Sequence, residues 1–176
     1  MKRQMSWAVL AGGIALAAST ASAVPAAAAS SGSETFSGTI VTSGVSGTRT
    51  VVSSVVVAKG VFSGVGRVVE MPSLPGDPDN SSRDDLVFRE GTMHLLSITT
   101  GFSASVNPNC LANATIRQTA EVIGGTGQFT AATGHFSATV SGPALLARNP
   151  DGSCSFFTQP ALHEEDMFTD TGTLSF

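Results

Sequence analysis

Positive charge is scarce in this chain. Of 176 residues only nine are Lys or Arg, and two of these, Lys2 and Arg3, stand at the amino terminus. Beyond them, seven basic residues face thirteen acidic ones, a net charge of −6. Holding a phosphate backbone takes clustered Lys and Arg, so the balance argues against nucleic acid as a partner. Long hydrophobic runs are missing as well. The most apolar stretch, Trp7 to Ala18, falls short of the about 20 residues that a bilayer-spanning helix needs, so no membrane span is expected. Flanked by Lys2 and Arg3 before it and Ala21-Ser22-Ala23 after it, the stretch reads as a secretory signal cut after Ala23. The expected product is a secreted, extracellular protein. Residues 24–33, rich in Ala and Ser, read as a flexible tail. Residues 34–176 are enough for one domain with a sizeable core.

Cysteine is nearly absent too. Cys110 and Cys154 both lie in the exported part, each beside turn residues (NPNCL and PDGSCS). Two cysteines in an oxidising compartment most simply form one disulfide, here joining two strand ends. A free catalytic cysteine is the less favoured reading.

No segment after the leader shows helical periodicity. Apolar residues alternate with small polar ones, and Gly, Pro, Asn and Asp punctuate the pattern. Strands are expected at Phe36–Thr42, Thr48–Ala58, Val61–Glu70, Leu86–Thr99 (kinked at Gly91), Phe102–Val106, Ala114–Ile123, Gln128–Ser141, Ser155–Gln159 and Met167–Phe176. Lys59-Gly60 is short enough for a tight hairpin. About eight or nine strands with short turns make an all-β closed barrel or a sandwich. The alternation still running at Thr173–Phe176 suggests a last strand that closes the sheet.

The longest loop is expected at Met71–Asp85. Its Asp77, Asp79, Asn80, Asp84 and Asp85 are hard oxygen donors, but their spacing is not that of an EF-hand. A solvated acidic loop with an internal Arg83 pair fits better, and no metal site is expected. His163-Glu164-Glu165-Asp166 lacks the second histidine of a zinc helix and reads as another acidic loop. No cofactor is expected.

The stretch GGTGQFTAATGHF, Gly124 to Phe136, has no lysine after its glycines and no helix-forming run behind them. Neither a phosphate-binding loop nor a dinucleotide fingerprint fits. A strand-to-strand turn does, with Gly124–Gly127 free to take positive φ, a new strand beginning at Phe129 and Gly134 allowing close approach. With its flanks, Glu121 to Gly142, the run resembles the glycine-rich signature of allene oxide cyclase-like and dirigent-like barrels. The matching residues are Gly124, Gly125, Thr126, Gly127, Phe129, Ala132 and Gly134. The resemblance implies a closed antiparallel barrel of about eight strands around an apolar cavity. It also implies two activities found among plant members, cyclising an unsaturated fatty-acid epoxide and steering the radical coupling of phenols. The chain departs from the dirigent pattern at Thr130 and Thr133, where arginines are common. Its exported part also has neither Trp nor Tyr.

If Leu86–Thr99 is one strand, Glu90, Thr92 and His94 share a face by period-2 alternation. A carboxylate beside an imidazole inside a cavity could form an acid–base pair, so Glu90 and His94 are the catalytic candidates. Phe88, Thr92, Leu96 and, on another strand, Arg117 are the ligand-binding candidates. The competing reading for all of these is a solvated outer face. His135 falls on the polar side of its strand. Three functions follow in order of preference. The first is a module binding a small apolar ligand. The second is a cyclase- or dirigent-type enzyme acting on a flexible apolar substrate. The third is a surface or inhibitor-like protein whose Asp77–Asp85 loop meets another protein.

Overall fold

A computed structural model describes residues 30–45, 47–156 and 158–176. The expected signal segment and most of the expected tail lie outside these residues. Eight strands follow one another in chain order: β1 (Ser31–Ser43), β2 (Thr50–Gly60), β3 (Gly64–Met71), β4 (Ser81–Phe88), β5 (Gly91–Val106), β6 (Leu111–Gly125), β7 (Thr133–Leu145) and β8 (His163–Ser175). Each pairs antiparallel with its chain neighbours, and β8 returns to β1, closing a barrel. The closing ladder runs without a break from Ser31↔Ser175 to Thr42↔Glu164. β1 thus begins three residues before the expected domain start. Ser31-Gly32-Ser33 has the composition of a tail, but β8 supplies its hydrogen-bond partners. No helix among the described residues is long and apolar enough to cross a membrane.

Four expected elements are corrected. Leu86–Thr99 is a hairpin, because Arg89-Glu90 turns β4 into β5 and pairs Phe88 with Gly91. The apolar alternation on both sides hides a turn made of two charged residues. Gly91 relieves it by taking φ +148°. Phe129 does not start a strand but ends a single 3-10 turn, Gly127–Phe129. Ser155–Gln159 stays in the long β7–β8 loop, and β8 starts at His163 rather than Met167.

Alternation sorts side chains between lumen and exterior. On β7, Gly134, Phe136, Ala138 and Ala144 are buried, whereas His135, Ser137 and Thr139 are exposed. One end of the lumen is a floor of six phenylalanines. Phe62 meets Phe88 and Phe129 at 4.9 and 5.0 Å between ring centroids. Phe36 meets Phe136 at 5.1 Å, and Phe129 meets Phe176 at 5.4 Å. Burying each ring stabilises the fold by about 1.5–3 kcal/mol, and edge-on pairing adds to that. Buried Glu34 fixes the β2–β3 loop here, its carboxylate accepting the Phe62 N–H at 2.8 Å.

The glycine-rich turn closes this same end. Gly127 has φ +59°, and a Cβ there would strike the Glu90 carbonyl oxygen. A Cβ at Gly134 would lie 2.6 Å from the Thr173 carbonyl oxygen and 3.0 Å from the Phe136 ring. The turn glycine thus supplies a backbone angle, and the strand glycine lets β8 and a floor ring approach β7.

The opposite end carries the loops β1–β2, β3–β4, β5–β6 and β7–β8. Cys110 and Cys154 form the expected disulfide. It ties the β7–β8 loop to the β5–β6 loop, and Arg148 adds a second tie by donating Nη2–H to the Pro108 carbonyl at 2.7 Å. Phe156 and Phe102, 6.1 Å apart between centroids, sit together at this mouth.

Candidate functional site

Above the aromatic floor, the inward positions change character. Phe36 on β1 is followed inward by Gly38, Ile40 and Thr42, and Phe88 on β4 is preceded by Leu86 and Asp84. On β8 the inward residues from floor to mouth are Leu174, Gly172, Asp170, Phe168, Asp166 and Glu164. The lumen therefore grades from aromatic, through mixed, to acidic. Two voids occupy the graded part. A void of about 50 Å³ is walled by Val68, Leu86, Leu95 and Phe168, with the carboxylates of Asp84 and Asp170 and the polar ends of Ser97 and Gln118 on its surface. A larger void, about 240 Å³, lies under the mouth between Phe102, Ile116, Leu146, Phe156, Arg49 and Asp166. Val140 lines both.

Arg49, just before β2, reaches over the mouth and gathers three carboxylates. Its guanidinium donates to Glu70 on β3 and, from Nε at 3.2 Å, to Glu164 on β8, with Asp166 at 3.7 Å. Thr42 donates its hydroxyl to Glu164 at 3.1 Å. Asp84 and Asp170, deeper down, have neither a side-chain hydrogen bond nor an ion pair among the described residues. Asp170 is only 8% exposed. Burial, and secondarily repulsion from Asp84, pushes its carboxyl up to about 7. Asp84 rises to about 6 through burial and Glu70, partly offset by Arg49. Asp166 rises to about 6 through burial and Glu164, again with Arg49 opposing. A carboxyl removed from water without a cation holds its proton to a higher pH. The lumen thus contains a proton-carrying group poised near neutrality, in a chamber of mixed apolar and polar walls.

The residues singled out from sequence are placed differently. Glu90 lies exposed in the β4–β5 turn at the floor end, and His94 lies on the outer face of β5. The hairpin separates them, and no contact joins them. His94 instead pairs with Asp85 across the β4–β5 ladder, Nδ1 to Oδ1 at 2.6 Å. Phe88 faces the lumen, but as part of the packed floor. Thr92 and Arg117 face outward. So does Leu96, which lines a shallow groove on the outer wall with Ile98, Glu121 and His135. In the β3–β4 loop, Asp77 accepts both Arg83 Nε–H at 2.6 Å and Nη2–H at 2.7 Å, together with the Leu74 N–H at 2.7 Å. The Arg83 hydrogen bond holds its carboxyl down at about 2. That is the internal pair expected for this loop.

Sequence reading did not single out Arg49, Glu70 or Asp170, and it placed Asp84, Glu164 and Asp166 in solvated acidic loops, whereas they stand on β4 and β8. The signal lay in HEEDMFTDTGTLSF: residues 164, 166, 168, 170 and 174 alternate with the floor residues' period, and three of them are acidic. Adjacent charges at 163–166 masked that period and looked like a loop. No family model, curated protein or solved structure matches this chain.

Proposed function

We propose that the barrel is an exported binding module that holds a small, largely apolar molecule in its lumen, reached from the disulfide-tied mouth. The observation that carries this reading is the unfilled upper lumen. A barrel of eight strands is just wide enough for side chains to fill it or for one small ligand. Here the phenylalanines fill the floor alone, and the apolar walls above it enclose space with a few convergent polar groups. The resemblance of Gly124–Gly134 to allene oxide cyclase-like and dirigent-like barrels points the same way. The expected signal segment and the disulfide favour export.

One observation favours the enzyme reading as an alternative. A cyclase- or dirigent-type reaction needs a group that can give or take a proton near neutral pH. Asp170 is such a group inside the lumen, in place of Glu90 and His94. The test of the binding reading is native mass spectrometry of the exported protein. A retained small molecule, released on unfolding, is the expected result. A bare chain mass, with a melting temperature unmoved by a panel of apolar small molecules, would sink it.

A further inference from the structure

We propose that the lumen's ligand is an organic cation, an apolar body bearing one ammonium group that sits between Asp170 and Asp84. This rests on the binding reading above and narrows it to a chemical class. Above the floor, five carboxylates of the described residues face the lumen (Glu70, Asp84, Glu164, Asp166 and Asp170) against one guanidinium, Arg49; Glu34 lies at the floor, held by the Phe62 N–H. Arg49 is spent at the mouth, on Glu70, Glu164 and Asp166. Among the described residues Asp170 therefore has no counter-charge, and Asp84 has only the partial one of Arg49. Asp170 is more than nine-tenths buried, has no hydrogen-bond partner and points into the smaller void. A buried carboxylate is costly unless a cation or hydrogen-bond donors meet it. Among the described residues no cation or donor meets Asp170, and its carboxylate opens onto the void rather than being sealed in the wall, so the site can take an ammonium group.

Size and polarity agree with this assignment. The void at Asp170 has room for an ammonium head and roughly a methylene or two, by the volume a water needs. The larger void above it is walled by Phe102, Ile116, Leu146 and Phe156, a surface for hydrocarbon. Val140 spans the two, so head and body lie along one wall. An anionic ligand of the same shape would meet an excess of negative charge. A neutral one could offer Asp170 a hydrogen bond at most, without a counter-charge.

The test uses isothermal titration calorimetry of the exported protein at pH 8 with three eight-carbon probes: n-octylamine, 1-octanol and octanoate. The amine is fully protonated there, since alkylammonium groups titrate near the lysine value of about 10.4. It is expected to bind at least tenfold tighter than 1-octanol, with octanoate weakest. Asp170→Asn should weaken the amine at least tenfold and leave 1-octanol unchanged, and Asp84→Asn should do the same to a smaller degree. Asp79→Asn, on the exposed β3–β4 loop, should change nothing. Lowering the pH from 8 to 5 should weaken the amine, because Asp170, Asp84 and Asp166 take up protons; the other charged groups facing them are Glu70, Glu164 and Arg49. If 1-octanol or octanoate binds as tightly as the amine, or if Asp170→Asn leaves the amine affinity intact, the cation assignment is overturned and the binding module stands. If none of the three binds, the binding reading falls and the assignment with it.

Discussion

Replacing Asp170 by Asn should make the barrel more stable at pH 8 but not near pH 4. An acid whose folded pKa is raised is ionised in the unfolded chain before it is ionised in the folded one. Between its ordinary value of 3.8 and about 7, the folded state binds the extra proton. Stability therefore falls as pH rises through that window, and the full cost is present above it. At about 1.4 kcal/mol per pKa unit, the shift corresponds to a ceiling of about 4 kcal/mol. An Asn amide in the same place needs partners, costing about 1 kcal/mol where Ser97 and Gln118 meet it imperfectly. The net gain at pH 8 is then about 3 kcal/mol, or roughly 6–12 °C in Tm for a domain of this size. The barrel has neither Trp nor Tyr among its described residues, so far-UV circular dichroism or calorimetry follows unfolding. Melting curves of both proteins at pH 4, 6 and 8 should diverge as pH rises. A variant destabilised at pH 8, or an offset constant across the three pH values, would refute the placement of Asp170 as an unpaired buried carboxyl.

Replacing Cys110 and Cys154 by Ser opens a loop with a sequence separation of 44, which the chain-entropy model values at about 4 kcal/mol. A Tm fall of roughly 8–16 °C in a calorimetric scan is expected, and a change under about 2 °C would deny the mouth its staple. Phe129→Ala removes a fully buried floor ring that touches Phe62, Phe88 and Phe176. It should cost about 3–5 kcal/mol in urea unfolding, and a loss under 1 kcal/mol would contradict the packed floor. Gly134→Ala forces a methyl against the Thr173 carbonyl and the Phe136 ring. It should cost about 1–3 kcal/mol, whereas Gly76→Ala, where nothing lies near, should lack this steric term.

How much of this was legible in the residues differs by feature. The all-β class, the disulfide and the closing role of the last strand follow from alternation, cysteine count and the pattern at Thr173–Phe176. These depend on local composition and on period. The Arg89-Glu90 turn was hidden because its neighbours carry the same apolar alternation, and a ladder partner, not a turn signature, decides the break. The acidic pole was hidden for a related reason. Asp84 and Glu164 stand in runs of charge that look solvated, yet pairing of β4 with β5 and of β8 with β1 and β7 sends alternate members inward. Which face of a polar strand turns inward is fixed by barrel closure, a property of all eight strands together. Arg49 could be found only from the fold, since its three partners come from β3 and β8.

The claim that the lumen above the floor receives a ligand is tested most directly by methyl NMR during titration with n-octylamine at pH 8. Val68, Leu86, Leu95 and Val140 line the void beside Asp170, whereas Val45, Val52 and Val65 are exposed on the outside. The account requires saturable shifts at the first four and none at the last three. Shifts confined to the outer valines, or to Leu96 and Ile98 on the outer groove, would contradict it.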